Sequence, residues 1–172
     1  MDPSRKNRSW IWFFVVVGLL AAIAVTVLIV YNLGQQLRPE QLEAAMQLWA
    51  EKGPKSYNLS YSIKRNHDPP ETYHAEIRKS RVSSASRNGT PLEPRLWPYQ
   101  DMRALFWDVQ RFLEEDAKPG KPRAFARAVF SAQDGGLQYY VRSVSGTRER
   151  IEIKVTSLTP VDDEEPVGKS SQ

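Results

Sequence analysis

The chain has 172 residues, with 24 Lys and Arg against 20 Asp and Glu, two His and no Cys. The missing cysteines exclude disulfide frameworks, thiolate zinc sites and cysteine nucleophiles. A formal charge of +4 is small, and part of it comes from a basic N-terminus, so the composition does not indicate a nucleic-acid-binding protein.

The first predicted element is an apolar run of 22 residues, Trp10–Tyr31, which contains no charge. As a helix it would be about 33 Å long, which matches a hydrocarbon core of about 30 Å. Trp10, Trp12 and Tyr31 stand near its ends, where aromatic rings favour the membrane interface. A cleaved signal peptide is the alternative, because Ala22-Ile23-Ala24 has the small-x-small form of a cleavage site. We expect an uncleaved transmembrane signal-anchor helix at 10–31.

A basic flank precedes this run and predicts its orientation. Arg5, Lys6 and Arg8 lie before the apolar residues, and cationic flanks stay on the cytoplasmic side of a membrane. Residues 1–9 are therefore expected in the cytoplasm. The remainder is expected outside it, in the periplasm if the protein is bacterial. The sequence thus predicts a single-pass protein of the cell membrane, with a linker at 32–38.

The predicted extracytoplasmic domain covers residues 39–160 and opens with a short amphipathic helix. Pro39 suits the first helical position, apolar residues follow at helical spacing as far as Trp49, and Gly53-Pro54 ends the pattern. Alternating apolar and polar residues then predict strands at 57–64, 73–78 and 81–86. A Pro-rich connector is expected at 90–98.

The second half of the domain repeats this order. A strong apolar stripe predicts a helix from about Tyr99 to Asp116, and strands are expected at 124–132, 137–145 and 148–158. Two αβββ half-repeats predict an α+β fold, with an antiparallel sheet and helices on one face. Residues 161–172, which open with four acidic residues at 162–165, are expected to form a disordered acidic tail.

Several short motifs suggest a family. They are Trp49, Tyr57 and Tyr61 in "SYNLSY", then "RVSSA", "DMRALF" and "DGG". In these motifs the chain resembles an uncharacterised family of small bacterial extracytoplasmic domains, over about residues 45–155. It departs from that family at Phe130-Ser131 and Gly136-Leu137-Gln138, where relatives often have Tyr-Asp and Gly-Tyr-Pro. The resemblance implies no activity, cofactor or functional residue.

Residues with catalytic chemistry are few. The only histidines are His67 and His74, and no Gly-x-Ser-x-Gly motif is present, so a hydrolase is not expected. His67, Asp68, Glu71 and His74 have the side chains of a zinc or manganese site, but the polarity of a turn explains the same residues and is favoured. We expect no catalytic residue, metal or cofactor.

Two surfaces have the composition of a binding site. Trp107 falls off the apolar stripe of its helix beside Arg103 and Arg111, and an exposed Trp flanked by Arg is typical of an interface anchor. The alternative is that Trp107 packs under the connector through Trp97. The second surface is the polar face of the sheet, for which an ordinary solvated face is the alternative. Its predicted basic residues are Lys64, Arg78, Arg142, Arg150 and Lys154.

These patterns favour a membrane-anchored binding or assembly module without catalytic activity. Its expected partner is a membrane or envelope protein, because confinement at a membrane raises the effective concentration of a weak partner. A regulator resembling periplasmic protease inhibitors of the propeptide type is the alternative, followed by an enzyme. Neither the oligomeric state nor the partner follows from the sequence.

Overall fold

A computed structural model describes residues 5–34 and 36–162 of the chain. The chain divides into two compact units, one ending at Gln36 and the next beginning at Leu37. The acidic tail predicted at 161–172 lies, from residue 163 onward, outside the described residues.

The first unit contains one helix, α1, which spans Arg5–Gly34 and has 30 residues. Trp10 and Trp12, predicted to mark a membrane interface, are exposed. Thr26 donates its hydroxyl to the carbonyl of Ala22, at 2.8 Å. The other residues used for the membrane and topology predictions have side chains outside the described part of the chain. They are Arg5, Lys6, Arg8 and Tyr31.

The predicted transmembrane helix at 10–31 is wrong. A hydrocarbon core of about 30 Å requires about 20 consecutive apolar residues in a helix. Among the residues that the structure describes, no helix is both long enough and apolar enough to meet that requirement. The side chains described within the predicted span are those of residues 10 and 12–26, which form a shorter run. The predicted single-pass signal anchor, which depends on this helix, is wrong for the same reason.

The second unit is α+β, with its helices on one face of a seven-stranded antiparallel sheet. Its helices are α2 at Pro39–Lys52, a 3-10 helix at Pro94–Tyr99 and α3 at Met102–Asp116. Its strands are β1 at Tyr57–Arg65, β2 at Glu71–Arg78, β3 at Arg81–Arg87, β4 at Thr90–Pro91, β5 at Ala124–Phe130, β6 at Leu137–Val144 and β7 at Arg150–Pro160.

The strand order, β4-β3-β2-β1-β7-β6-β5, joins two halves at the β1–β7 pair. This pair runs from Tyr57 opposite Pro160 to Arg65 opposite Ile151. The six strands predicted from the sequence are present. The predicted strand number is nevertheless too low, because the described residues form a seventh strand, β4, inside the expected connector. Its two residues pair with the end of β3.

The core lies between the sheet and the helices. Both α2 and α3 bury a stripe at helical spacing, and alternate residues of the central strands face these stripes. Asp101 begins α3 as its N-cap, since its Oδ1 accepts the Ala104 N–H at 2.8 Å. Gly135, with a φ of 78°, lies so close to α2 that a Cβ would approach the Ala45 carbonyl oxygen to 2.3 Å. Glycine is therefore required where the β5–β6 hairpin meets α2.

Candidate interaction surface

Trp107 lies on the outer side of α3, with 57 % of its surface exposed. The opposite side of the helix is buried, and the helical period turns Trp107 away from it. The buried residues are Met102, Leu105, Phe106 and Val109. Among the ring contacts of the described residues, none joins Trp107 to Trp97, which was the alternative predicted for it. Trp97 is half-buried, and its Nε1–H donates to the Leu92 carbonyl at 2.9 Å.

Two arginines flank Trp107 at one helical turn on either side, and we call Arg103, Trp107 and Arg111 the Trp107 stripe. The side chains of Arg103 and Arg111 are 67 % and 57 % exposed. The Arg111 guanidinium carbon lies 5.2 Å from the centroid of the Trp107 ring, within cation–π range. The sequence correctly placed these three residues on one side of a helix.

The carboxylates that pair with these arginines differ in exposure. Asp101 accepts from Arg103 Nε at 2.9 Å, and its side chain is only 5 % exposed. Asp108 lies 3.3 Å from Arg111 Nη2 and is 36 % exposed, and its partial burial raises the pKa of Asp108. The cationic groups therefore face solvent around the Trp107 ring, and Asp101 compensates Arg103 from a buried position.

An apolar hollow, which we call the helix groove, lies beside the stripe between α2 and α3. Its volume is about 420 Å³. Glu43 and Glu114 line it, and Gln110 Nε2 donates to Glu114 Oε1 at 2.9 Å. Among the ion pairs of the described residues, none involves Glu43 or Glu114. Its apolar lining consists of Pro39, Leu42, Met46, Leu113 and Ala117.

A second hollow, the aromatic cleft, has a volume of about 490 Å³ and lies where α2 ends and α3 begins. Trp49, Tyr57 and Phe106 contribute to its lining, together with Lys55 and Arg103. The Trp49 and Tyr57 rings meet edge to face at 5.6 Å. The Tyr57 hydroxyl accepts the Met102 N–H at 3.2 Å, and burial raises the pKa of Tyr57 to about 12.

The open face of the sheet carries four of the predicted basic residues beside polar or acidic neighbours. Arg78 Nη1 donates to Asn58 Oδ1 at 3.0 Å, and Arg150 Nη2 lies 3.4 Å from Glu152 Oε2. Lys64 stands opposite Glu152 in the β1–β7 pair, and Lys154 stands opposite Ser62. This arrangement is that of a solvated sheet face with charges of both signs.

Arg142 was predicted on that open face, and this placement is wrong. It is only 6 % exposed and lies on the helix side, where its Nη2 and Nε donate to Asp116 at 2.6 and 2.8 Å. The reason is a β-bulge. Val129 pairs with Tyr139 and Phe130 with Leu137, so Gln138 is skipped and the alternation of β6 reverses. Hydrogen bonding to Asp116 raises the pKa of Arg142.

A contact between His74 and Ser60 was not predicted from the sequence. Their side chains lie 2.9 Å apart, Nδ1 to Oγ, because β1 and β2 place the two residues directly opposite each other. Only the register of the β1–β2 pair could have predicted this contact. Nucleophilic catalysis also needs a group that orients the base and donors for an oxyanion. No described hydrogen bond orients the other His74 nitrogen, and Ser60 lies within paired strands.

The suggested metal ligands do not form a site. The described residues contain no group of three or more His, Asp or Glu side chains that could hold a metal ion. Glu71 instead accepts the Tyr73 hydroxyl at 2.8 Å and Arg65 Nη1 at 3.1 Å. The Tyr73 hydrogen bond, followed by the nearby arginines, lowers the pKa of Glu71.

No protein-family model matches the chain, and no curated protein matches it. The resemblance to a family of extracytoplasmic domains therefore stays a prediction. Any function proposed for the chain rests on the geometry of the described residues.

Proposed function

We propose that the second unit is a binding or assembly module that recognises another protein through the Trp107 stripe. The observation that carries this proposal is the 57 % exposure of Trp107 beneath the Arg111 guanidinium. Tryptophan and arginine are the side chains most enriched among residues that dominate protein–protein binding.

Two further features support a protein partner. The helix gains little stability from Trp107, which lies opposite its buried stripe. The ring nevertheless offers a large, rigid apolar surface, and the neighbouring guanidinium groups face outward. A partner that covers this surface removes apolar area from water, and its carboxylates or carbonyls meet Arg103 and Arg111.

The test is cross-linking of the full chain under native conditions, followed by mass spectrometry of the recovered complexes. We expect cross-links from a stoichiometric partner to map onto α3 around Trp107. Trp107→Ala should abolish this complex. Phe125→Ala is the matched control, since Phe125 is an aromatic residue on β5 with 40 % exposure. Equal complex formation by both variants would refute the proposal.

A ligand-binding regulator is the second candidate, and the aromatic cleft favours it. Its volume of about 490 Å³ lies within the range of small-ligand sites, which have apolar walls and a few polar groups. Ala50 is exposed and lines the cleft, so Ala50→Trp fills it without removing a buried group. A regulator should lose activity in Ala50→Trp, whereas the Trp107-dependent complex should persist.

A histidine-dependent enzyme would use the Ser60–His74 contact in catalysis. His67→Ala combined with His74→Ala removes both imidazoles. Full biological activity of this double variant would exclude a histidine-dependent reaction. Lost activity with an intact Trp107-dependent complex would instead support catalysis.

A further inference from the structure

We infer that the partner of the Trp107 stripe is a second copy of this chain, bound through the same surface in a two-fold symmetric dimer. This inference rests on the proposed function and names its partner. A symmetric dimer requires one patch that is complementary to itself. The outer side of α3 and the adjoining helix groove provide such a patch.

The two parts of the patch are complementary in apolar character and in charge. The Trp107 stripe is a projecting aromatic ring between two exposed arginines. The helix groove has mainly apolar walls and two glutamates, Glu43 and Glu114, which form no ion pair among the described residues. The aromatic ring of one copy can therefore pack against the apolar walls of the other copy's groove, and its arginines can pair with the glutamates there.

Their spacing on α3 fits a two-fold axis. Trp107 and Glu114 are seven residues apart, or about 10.5 Å along one side of the helix. When two α3 helices cross antiparallel with the axis near Gln110, each Trp107 stands opposite Glu114 of the other copy. Arg111 then lies within one turn of that same glutamate. The contact repeats on both sides of the axis.

Cysteine cross-linking tests this geometry directly, because the chain contains no cysteine. A residue at a two-fold axis meets its own copy, so Gln110→Cys should give a covalent dimer with a short bismaleimide. Ser62→Cys is the control, since Ser62 lies on β1 opposite Lys154 of the open sheet face. Absence of dimer from Gln110→Cys, or equal yields from the two variants, would overturn the inference.

A charge-swap experiment distinguishes this dimer from other self-association. Arg111→Glu places like charges together in its homodimer, and so does Glu114→Arg. We expect each variant alone to associate at least about tenfold more weakly than the unmodified chain in sedimentation equilibrium. A mixture of the two restores opposite charges at both contacts and should recover the dimer. Failure of the mixture to associate would contradict the proposed contact.

The outcomes also separate this inference from the proposed function. If Gln110→Cys gives no dimer but Trp107→Ala abolishes a complex with a different protein, the second copy is excluded and the binding module stands. If Trp107→Ala affects no complex of either kind, both are refuted.

Discussion

The outer side of α3 and the open face of the sheet both carry exposed arginines, but on α3 one of these arginines pairs with a buried carboxylate. On the open face, Arg150 lies beside Glu152 in the same solvated layer. On α3, Asp101 is buried beneath Arg103, and the guanidinium faces solvent. The exposed positive charge of α3 surrounds an aromatic ring. The buried carboxylate beneath Arg103 therefore distinguishes the two surfaces better than the number of cations does.

The largest expected effect comes from truncating one buried and one exposed aromatic residue and comparing the losses of stability. Phe106 is 2 % exposed on α3, whereas Phe125 is 40 % exposed on the open face. Phe106→Ala should lower the free energy of unfolding by about 4 kcal/mol, because it leaves a cavity in the core. Phe125→Ala should cost less than about 1 kcal/mol. Denaturant unfolding followed by circular dichroism measures both, and similar losses would contradict the assigned core.

The two faces of the sheet should also differ in what an arginine contributes. Arg142→Ala should lower the free energy of unfolding by about 3 kcal/mol, since it leaves Asp116, which is 16 % exposed, without its partner. Arg150→Ala should change it by no more than about 0.5 kcal/mol, because its pair with Glu152 is solvated. The same unfolding measurement compares them. If Arg142→Ala were as mild as Arg150→Ala, the bulge in β6 would be wrongly placed.

High pH should destabilise the covered side of the sheet. Burial raises the pKa of Tyr57 from 10.0 to about 12, so the folded chain keeps a proton that the unfolded chain releases. The stabilisation is therefore complete below pH 10 and lost as the pH rises from about 10 to 12. Burial also raises the pKa of Tyr61 and Tyr140. We expect a loss on the order of 2 kcal/mol from Tyr57.

The control for this pH effect is Tyr57→Phe, which removes the titrating hydroxyl. Unfolding free energies between pH 8 and about 11.5 should fall less steeply for this variant than for the unmodified chain. Equal slopes would show that Tyr57 does not contribute to the pH dependence.

Local patterns in the sequence predicted most elements of the second unit. The apolar stripe of α3 was strong enough to place Trp107 on its outer side, and alternation placed Tyr57 and Tyr61 of β1 in the core. Alternation predicted the wrong face for Arg142 on β6. The bulge at Gln138 depends on pairing with β5, so the sequence of β6 alone does not reveal it. The predicted membrane helix was wrong, because no helix of the described residues is both long enough and apolar enough to span a membrane.

The interaction surface was predicted only in part. Arg103, Trp107 and Arg111 follow from helical spacing, so their shared side of α3 could be anticipated. The helix groove could not be, because Leu42 and Leu113 come from helices that are far apart in sequence and meet only in the folded unit. The Ser60–His74 contact likewise depends on strand register.

The most direct test of the central claim measures folding and complex formation for Trp107→Ala in the same preparation. We predict an unfolding free energy within about 0.5 kcal/mol of the unmodified chain, because Trp107 is largely exposed, and complete loss of the cross-linked complex. Phe125→Ala should keep the complex. A Trp107→Ala chain that folds normally and still forms the complex would contradict the account.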